Sequence, residues 1–215
     1  MNVLQAIETF RSDEQDEGKG RFWSDGELTS YYSEANKEAC IRSGLLTNRT
    51  FEYEIGASDA EIVIDKSIVE ISNVTLIDMA GARTVIDPSS IYDLDRTNPD
   101  WRWATEKPAK YVHQDTSIRL SSLSDDSYTI VVEASVTPDD LEDDDDEPSI
   151  SQHHHSELLH WVRYRAYKKQ DADSFNSEKS AVGYKMFERY FGRRKTADLR
   201  KRQNANRPHR NQPCW

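Results

Sequence analysis

The apolar residues of this chain change their spacing twice, and that change constrains the fold more than any single motif does. Near the N-terminus Val3, Ile7 and Phe10 recur one helical turn apart, and Leu28, Tyr31, Tyr32, Ala35 and Ala39 form a second stripe of the same period. From Thr50 the period falls to two, in Phe51, Tyr53 and Ile55, then Ile62 to Ile64, then the β-branched run Ile68 to Ile77. Helical spacing returns in residues 156–170, SELLHWVRYRAYKKQ, and again from about residue 172 to 191, where Ala181, Tyr184, Phe187 and Phe191 share a side. Side chains repeat every 3.6 residues on a helix and every two on a strand, so the ends of the chain are helical and its middle is β. The fold class that follows is α+β: a helical bundle from the N- and C-terminal parts, an inserted small antiparallel β module, and an extended C-terminal arm.

Turn and cap residues set the boundaries. Residues 12–20, SDEQDEGKG, interrupt the first helix with charge and glycine. Ser24 and Glu27 have capping-box spacing and Gly44 offers a left-handed stop, which predicts a helix from Ser24 to Ser43. In the β region Ala80-Gly81 is a turn, Asp87-Pro88 reads as the start of a short helix packing Ile91, Tyr92 and Leu94, and Asn98-Pro99-Asp100 turns again. Tyr111 to His113, Ile118 to Leu120 and Tyr128 to Val136 supply further strands, with residues 124–127 as a hairpin turn. The expected map is 1–48 for the N-terminal helices, 49–137 for the β module, 138–151 for an acidic loop, 152–192 for the C-terminal helices and 193–215 for the arm.

Charge separates the body from the tail. The 215 residues are 36% apolar and 31% charged, with no run near the roughly 18 apolar residues of a membrane span, so a soluble protein with no membrane partner is expected. The opening MNVLQAIETFRSDEQDEGKG lacks a basic segment followed by an apolar one, which predicts no secretory leader and a cytosolic site of synthesis and assembly. Cys40 and Cys214 alone exclude a disulfide framework or a four-cysteine zinc site. The net charge of -11 disfavours general nucleic-acid affinity. Yet from residue 189 onward nine Lys or Arg face one Asp, giving +8, so the preceding 188 residues carry -19.

The densest negative charge lies at Asp139, Asp140, Glu142, Asp143, Asp144, Asp145, Asp146 and Glu147, a block that repels itself and is expected to be a mobile loop. It lacks the glycine and the alternation of a calcium-binding EF-hand loop. Beyond Gly192 almost no apolar residue occurs until the last two positions, so this segment cannot bury a core; its last twenty residues reach on the order of 65 Å when extended. Nucleic-acid binding, docking on an acidic protein surface and a free tail all suit that composition. The terminal Trp215 favours docking, because a tryptophan after a polar stretch can plug a partner's apolar pocket.

Candidates for chemistry are few. The sequence holds no GxSxG, no phosphate-cradling glycine loop, no dinucleotide fingerprint and no HExxH. His153, His154 and His155 are metal-ligand types, but consecutive side chains diverge and rarely converge on one ion. Trp101 and Trp103 flank Arg102 and could stack bases; in a β-rich region such aromatics more often serve core and subunit packing. The same holds for Tyr31, Tyr32, Tyr164 and Tyr167.

The order of elements resembles a known family. A short N-terminal helix, an acidic loop, FWSDGELTSYYSEANKEA, a β module with NPDWRW and KYVHQDTSIRLSSL, and then ELLHWVRYRAYKKQDADSFNSEKSAVGYKMFERYF together resemble tailed-bacteriophage head-to-tail adaptor proteins. These are also called connector or head-completion proteins, and the tail tubular protein A of short-tailed phages is similar. The resemblance runs from Val3 to about Phe191. It implies a structural virion protein of the neck between capsid and tail, without enzymatic activity, catalytic residues, metal or cofactor.

The resemblance further implies a dodecameric ring of this chain's own copies below the portal protein, extending the DNA channel and offering a platform to a tail tube or nozzle protein. DNA would pass through the lumen at ejection without specific binding. Subunit packing would fall to Trp23, Tyr31, Trp161, Tyr164, Tyr184 and Phe187. The portal-docking arm would use Arg193, Arg194, Lys195, Arg200, Lys201, Arg202, Arg207, Arg210 and Trp215. The long acidic block and the strongly basic terminus depart from the usual pattern. Two rivals compete: a nucleic-acid-binding phage regulator using the basic arm, and a metal-dependent hydrolase centred on His153 to His155.

Overall fold

The computed structural model describes residues 1–16, 18, 21–170 and 175–194. The described residues form five helices and two four-stranded sheets, grouped into two compact units. One unit is helical and joins the two ends of the chain, Met1–Thr47 and Thr137–Lys195; the other is the β unit, Asn48–Val136.

In the helical unit α1 spans Val3–Glu14, α2 Asp25–Ser43, α4 His155–Lys168 and α5 Ser177–Phe191. The N- and C-terminal helices pack together around Val3, Phe10, Trp23, Leu28, Tyr32, Leu158, Val162, Phe187 and Phe191. Each large apolar side chain buried in such a core contributes about 1.5–3 kcal/mol. The start of α2 is fixed as its sequence requires: Ser24 Oγ accepts from Glu27 N at 3.2 Å and Glu27 Oε2 accepts from Ser24 N at 3.0 Å. Ser24→Ala is therefore expected to lower stability by about 1 kcal/mol, read from urea denaturation midpoints. Gly44 at φ +73° closes the helix in the left-handed conformation, and its N–H reaches Cys40 O.

The last helix begins at Ser177, later than residue 172, because the Asn176 side chain accepts from Lys179 N at 3.0 Å and caps it there. Gly183 lets α5 lie directly on α4: a Cβ at that position would sit 2.8 Å from His160 O and 2.9 Å from Tyr164 N.

In the β unit the strands are β1 Thr47–Ile55, β2 Glu61–Val63, β3 Ile68–Ile77, β4 Arg83–Val85, β5 Asp87–Pro88, β6 Lys110–Gln114, β7 Ser117–Leu120 and β8 Tyr128–Val136, with the short helix α3 at Ile91–Thr97. They form sheets of order β1-β8-β3-β4 and β2-β7-β6-β5. Along β8 the buried residues alternate as Tyr128, Ile130, Val132, Ala134 and Val136, and Val132 and Ile130 stand opposite Val74 and Leu76 of β3. These pack with Ile62, Ile86, Tyr111, Ile118 and Leu120 of the second sheet's strands and their flanks.

Three expectations for this region are corrected. Asp87-Pro88 does not cap a helix; it pairs in parallel with Lys110 and Tyr111, so the module is not wholly antiparallel. Ser90 is the cap, its side chain accepting from Asp93 N. Residues 124–127 do not close a hairpin, because β7 and β8 lie in different sheets. Ser124 N donates to Asp59 O at 2.9 Å and Ser58 N to Ser124 O at 2.7 Å, which ties the segment to the loop before β2 as the chain crosses between sheets.

The acidic block does not loop free. Its backbone and carboxylates find donors that a count of charges hides: Val3 N donates to Asp146 O, Leu4 N to Asp144 O, and Asp146 Oδ2 accepts from both Glu142 N and Asp143 N. Leu141 is buried beside it.

Candidate assembly surfaces

Trp23, Trp161 and Phe187 are used within the helical unit's own core. Trp23 Nε1 donates to Ala166 O at 3.0 Å, and its ring meets Phe10 and Tyr167 edge-on at 5.5 and 5.2 Å. Trp161 lies 4.9 Å from Phe187 and 5.0 Å from Tyr164, ring to ring. Tyr31, Tyr164 and Tyr184 are half-buried at the edge of this cluster.

Around that core the charges pair between helices. Lys169 reaches Glu27 at 2.5 Å and Arg165 reaches Glu34 at 2.6 Å, joining α2 to the end of α4. Glu14 gathers three donors: Arg163, Tyr167 OH at 2.6 Å and Lys179 Nζ at 2.9 Å. Burial works against ionisation of Glu14, but the hydrogen bonds from Tyr167, Lys179 and Arg163 outweigh it and hold the carboxyl below its ordinary value of 4.5. The stability this group adds is therefore complete above the unfolded value and is lost as pH falls through the lower folded one. Glu14→Gln is expected to cost about 2 kcal/mol at neutral pH and to flatten the acid limb of a melting-temperature profile below pH 4.5.

At the end of α5 the root of the basic segment is fastened. Arg194 Nη1 donates to Glu38 Oε1 at 2.9 Å, and the other Glu38 oxygen accepts from Arg42 Nε at 3.0 Å. The buried Arg42 guanidinium lies 5.0 to 5.4 Å from the Trp161, Tyr184 and Phe187 rings. Arg193 approaches Glu188 at 3.7 Å. Lys195, Arg200, Lys201, Arg202, Arg207, Arg210 and Trp215 lie outside the described residues.

Of the three neighbouring histidines, His153 and His154 lie ring against ring at 3.8 Å while His155 has separate, buried partners. His155 is buried with Nε2 2.8 Å from Ile150 O, His154 Nδ1 is 3.0 Å from Tyr190 OH, and the His153 ring rests on His154. Burial and the adjacent histidines hold His154 below the usual imidazole range. Among the described residues no group of three metal-ligand types comes together, and no helix is long and apolar enough to cross a membrane.

Two exposed apolar surfaces escaped the sequence reading. On α5, Val182, Met186 and Tyr190 recur every fourth residue and stand out from the helix, while Ala181, expected on the packed side, is also exposed. The signal was present: an α5 apolar over more than half its circumference has more face than one core can cover. In the β unit Trp101 and Trp103 part company. Trp101 is buried, donates to Asp95 Oδ1 at 2.8 Å and has the Arg102 and Arg119 guanidinium groups 4.5 and 5.2 Å from its ring, whereas Trp103 is 71% exposed. Tyr92, Met79, Val63 and Val85 are exposed in the same unit.

No curated protein matches the chain. Among solved structures, the neck of an empty GTA particle computed with C6 symmetry is similar at 15% identity, over 91% of this chain and 92% of that one, with a TM-score of 0.29. The family model described as SU10 adaptor protein matches residues 1–212. That match takes in both helical ends, the inserted strands and nearly all of the basic segment, and by it the chain belongs to the SU10 adaptor protein family, a family of phage adaptors.

Proposed function

We propose that this adaptor works as a ring in the neck of a phage particle, with copies of the chain, twelve to a ring, beneath the portal protein. The ring extends the DNA channel and gives a tail tube or nozzle protein its platform, and the chain acts structurally, without catalysis. The observation that carries the reading is the family match over residues 1–212. The charge division supports it: a body of -19 repeated around an axis presents DNA with an anionic or neutral passage along which phosphates slide without sticking.

In this reading α5's exposed stripe of Val182, Met186 and Tyr190, beside Tyr184 and Tyr164, contributes to the contact between neighbouring subunits. A ring requires two different complementary patches on each copy, so the opposite patch lies elsewhere on the same chain. The segment from Arg193 to Trp215 leaves the ring and fastens to the portal, steered by its cations and anchored by Trp215. Electron microscopy of the purified protein, alone and with portal, tests this: twelve-subunit rings that stack on portal are expected, and particles that stay monomeric even with portal would overturn it. Assembly should weaken as salt rises from 0.1 to 1 M, where the screening length falls from about 10 to about 3 Å.

A further inference from the structure

The exposed stripe on α5 is edged with charge of one sign. Val182, Met186 and Tyr190 are 58%, 39% and 46% exposed and follow one another at four-residue steps, a strip about 12 Å long. Lys185 and Arg189 stand three residues beyond Val182 and Met186, so they make a cationic row beside the apolar one. Both are exposed, and neither has an ion pair among the described residues. Arg193 follows just past the helix end with its side chain 89% exposed.

The N-terminal end of α1 carries the opposite sign around an apolar residue of its own. Leu4 is 43% exposed, and Glu8, one turn on, is exposed on the same face. Leu4 N donates to Asp144 O and Val3 N to Asp146 O, which fixes the acidic segment against this end of the helix. The turn in that segment is held by Asp146 Oδ2, which accepts from Glu142 N and Asp143 N. Glu142, Asp143, Asp144 and Asp145 are exposed, and none pairs with a cation among the described residues. Holding like charges in one ordered turn costs repulsion that cations brought from outside relieve. An apolar residue in an anionic field thus matches an apolar stripe edged with cations.

We infer that neighbouring copies meet by laying the α5 face of one, Val182, Met186 and Tyr190 with Lys185 and Arg189, on the Leu4 and Glu8 face of the next, the cations standing opposite residues 142–145. Two α5 faces laid on each other would instead bring two cationic rows together, so the contact is head-to-tail rather than two-fold. Both patches belong to the one compact unit of Met1–Thr47 and Thr137–Lys195, so that unit alone sets the step from copy to copy. The inference rests on the ring reading and names the patch that α5 meets.

The test uses two forms of the full chain in a Cys214→Ser background, one with Met186→Cys and the other with Leu4→Cys, told apart by a mass tag on one. Cys40 stays out of the reaction, since burial pushes its thiol up. Mixed at 50 mM salt, with and without portal, and mildly oxidised, they should give a disulfide-linked heterodimer, while either form alone stays unlinked. Lys185→Glu with Arg189→Glu in the first form should slow linking roughly tenfold, and Glu142→Lys with Asp143→Lys in the second should restore it. Homodimers of the Met186→Cys form, no heterodimer in either mixture, or a rate indifferent to both reversals would overturn the inference. Micrographs of the unmodified chain keep the two readings apart: rings without the heterodimer remove this contact alone, whereas no rings even with portal remove the ring reading and this contact with it.

Discussion

Deletion of residues 193–215 is expected to leave a folded protein that portal-bearing capsids no longer capture. What the deletion takes from the described structure is small: the Arg194–Glu38 pair, whose Arg194 side chain is 59% exposed, and the looser Arg193–Glu188 pair. Exposed pairs contribute about 0–1 kcal/mol, and Glu38 keeps its bond to Arg42, so the melting temperature should shift by only a few degrees. Capture should fall far more. The segment carries eight of the nine cations that follow residue 188 together with the terminal tryptophan, and removing a buried aromatic anchor alone costs about 2–4 kcal/mol, or some thirtyfold to a thousandfold. Sedimentation of capsids with wild-type and shortened protein measures it; equal co-sedimentation would remove the segment from the docking mechanism. Trp215→Ala in the full chain then separates the anchor from the charge, because it leaves every cation in place.

Gly183→Val is expected to destabilise the helical unit by forcing α5 away from α4. The atoms that a Cβ would meet, His160 O and Tyr164 N, belong to the backbone of α4 and cannot rotate away. Valine needs α5 to lift from α4, which strains the Trp161–Phe187 contact and the bond from Ser180 Oγ to Tyr164 O at 3.0 Å. Overpacking of this kind costs about 1–3 kcal/mol and here exceeds any gain in helix propensity, which is at most about 1 kcal/mol. Gly183→Ala gives the sharper comparison: propensity favours it, the clash opposes it, and a net loss in urea denaturation shows that the clash wins. A neutral or stabilising Gly183→Ala would mean that α4 and α5 separate without cost.

The long-period features were legible from residue order alone. Ser24, Glu27 and Gly44 delimit α2 because capping is local chemistry, and the period-two run through β8 shows because one face of its sheet is buried. What stayed hidden depends on partners distant in sequence. Asp87-Pro88 looks like a helix start until Lys110 and Tyr111 come beside it. The acidic block looks like a self-repelling coil until the backbone of Val3 and Leu4 donates into it, from 143 and 140 positions away in the chain. Size draws Trp23, Trp161 and Phe187 into the core of their own unit; the exposed stripe on α5 consists of residues whose only signal is that the core side was already full. For the basic segment, only Arg193 and Arg194 have described contacts.

The joining of Met1–Thr47 with Thr137–Lys195 into one unit has a consequence for biosynthesis. On the ribosome, α1 and α2 emerge long before α4 and α5, and at 5–20 residues per second the wait is roughly 7–30 s. Throughout that interval Phe10, Trp23, Leu28 and Tyr32 have no C-terminal helices to cover them, while every strand of Asn48–Val136 has been made before α4 begins. The nascent chain thus completes its middle first and closes its ends last, and the exposed N-terminal stripe is where a chaperone would be needed.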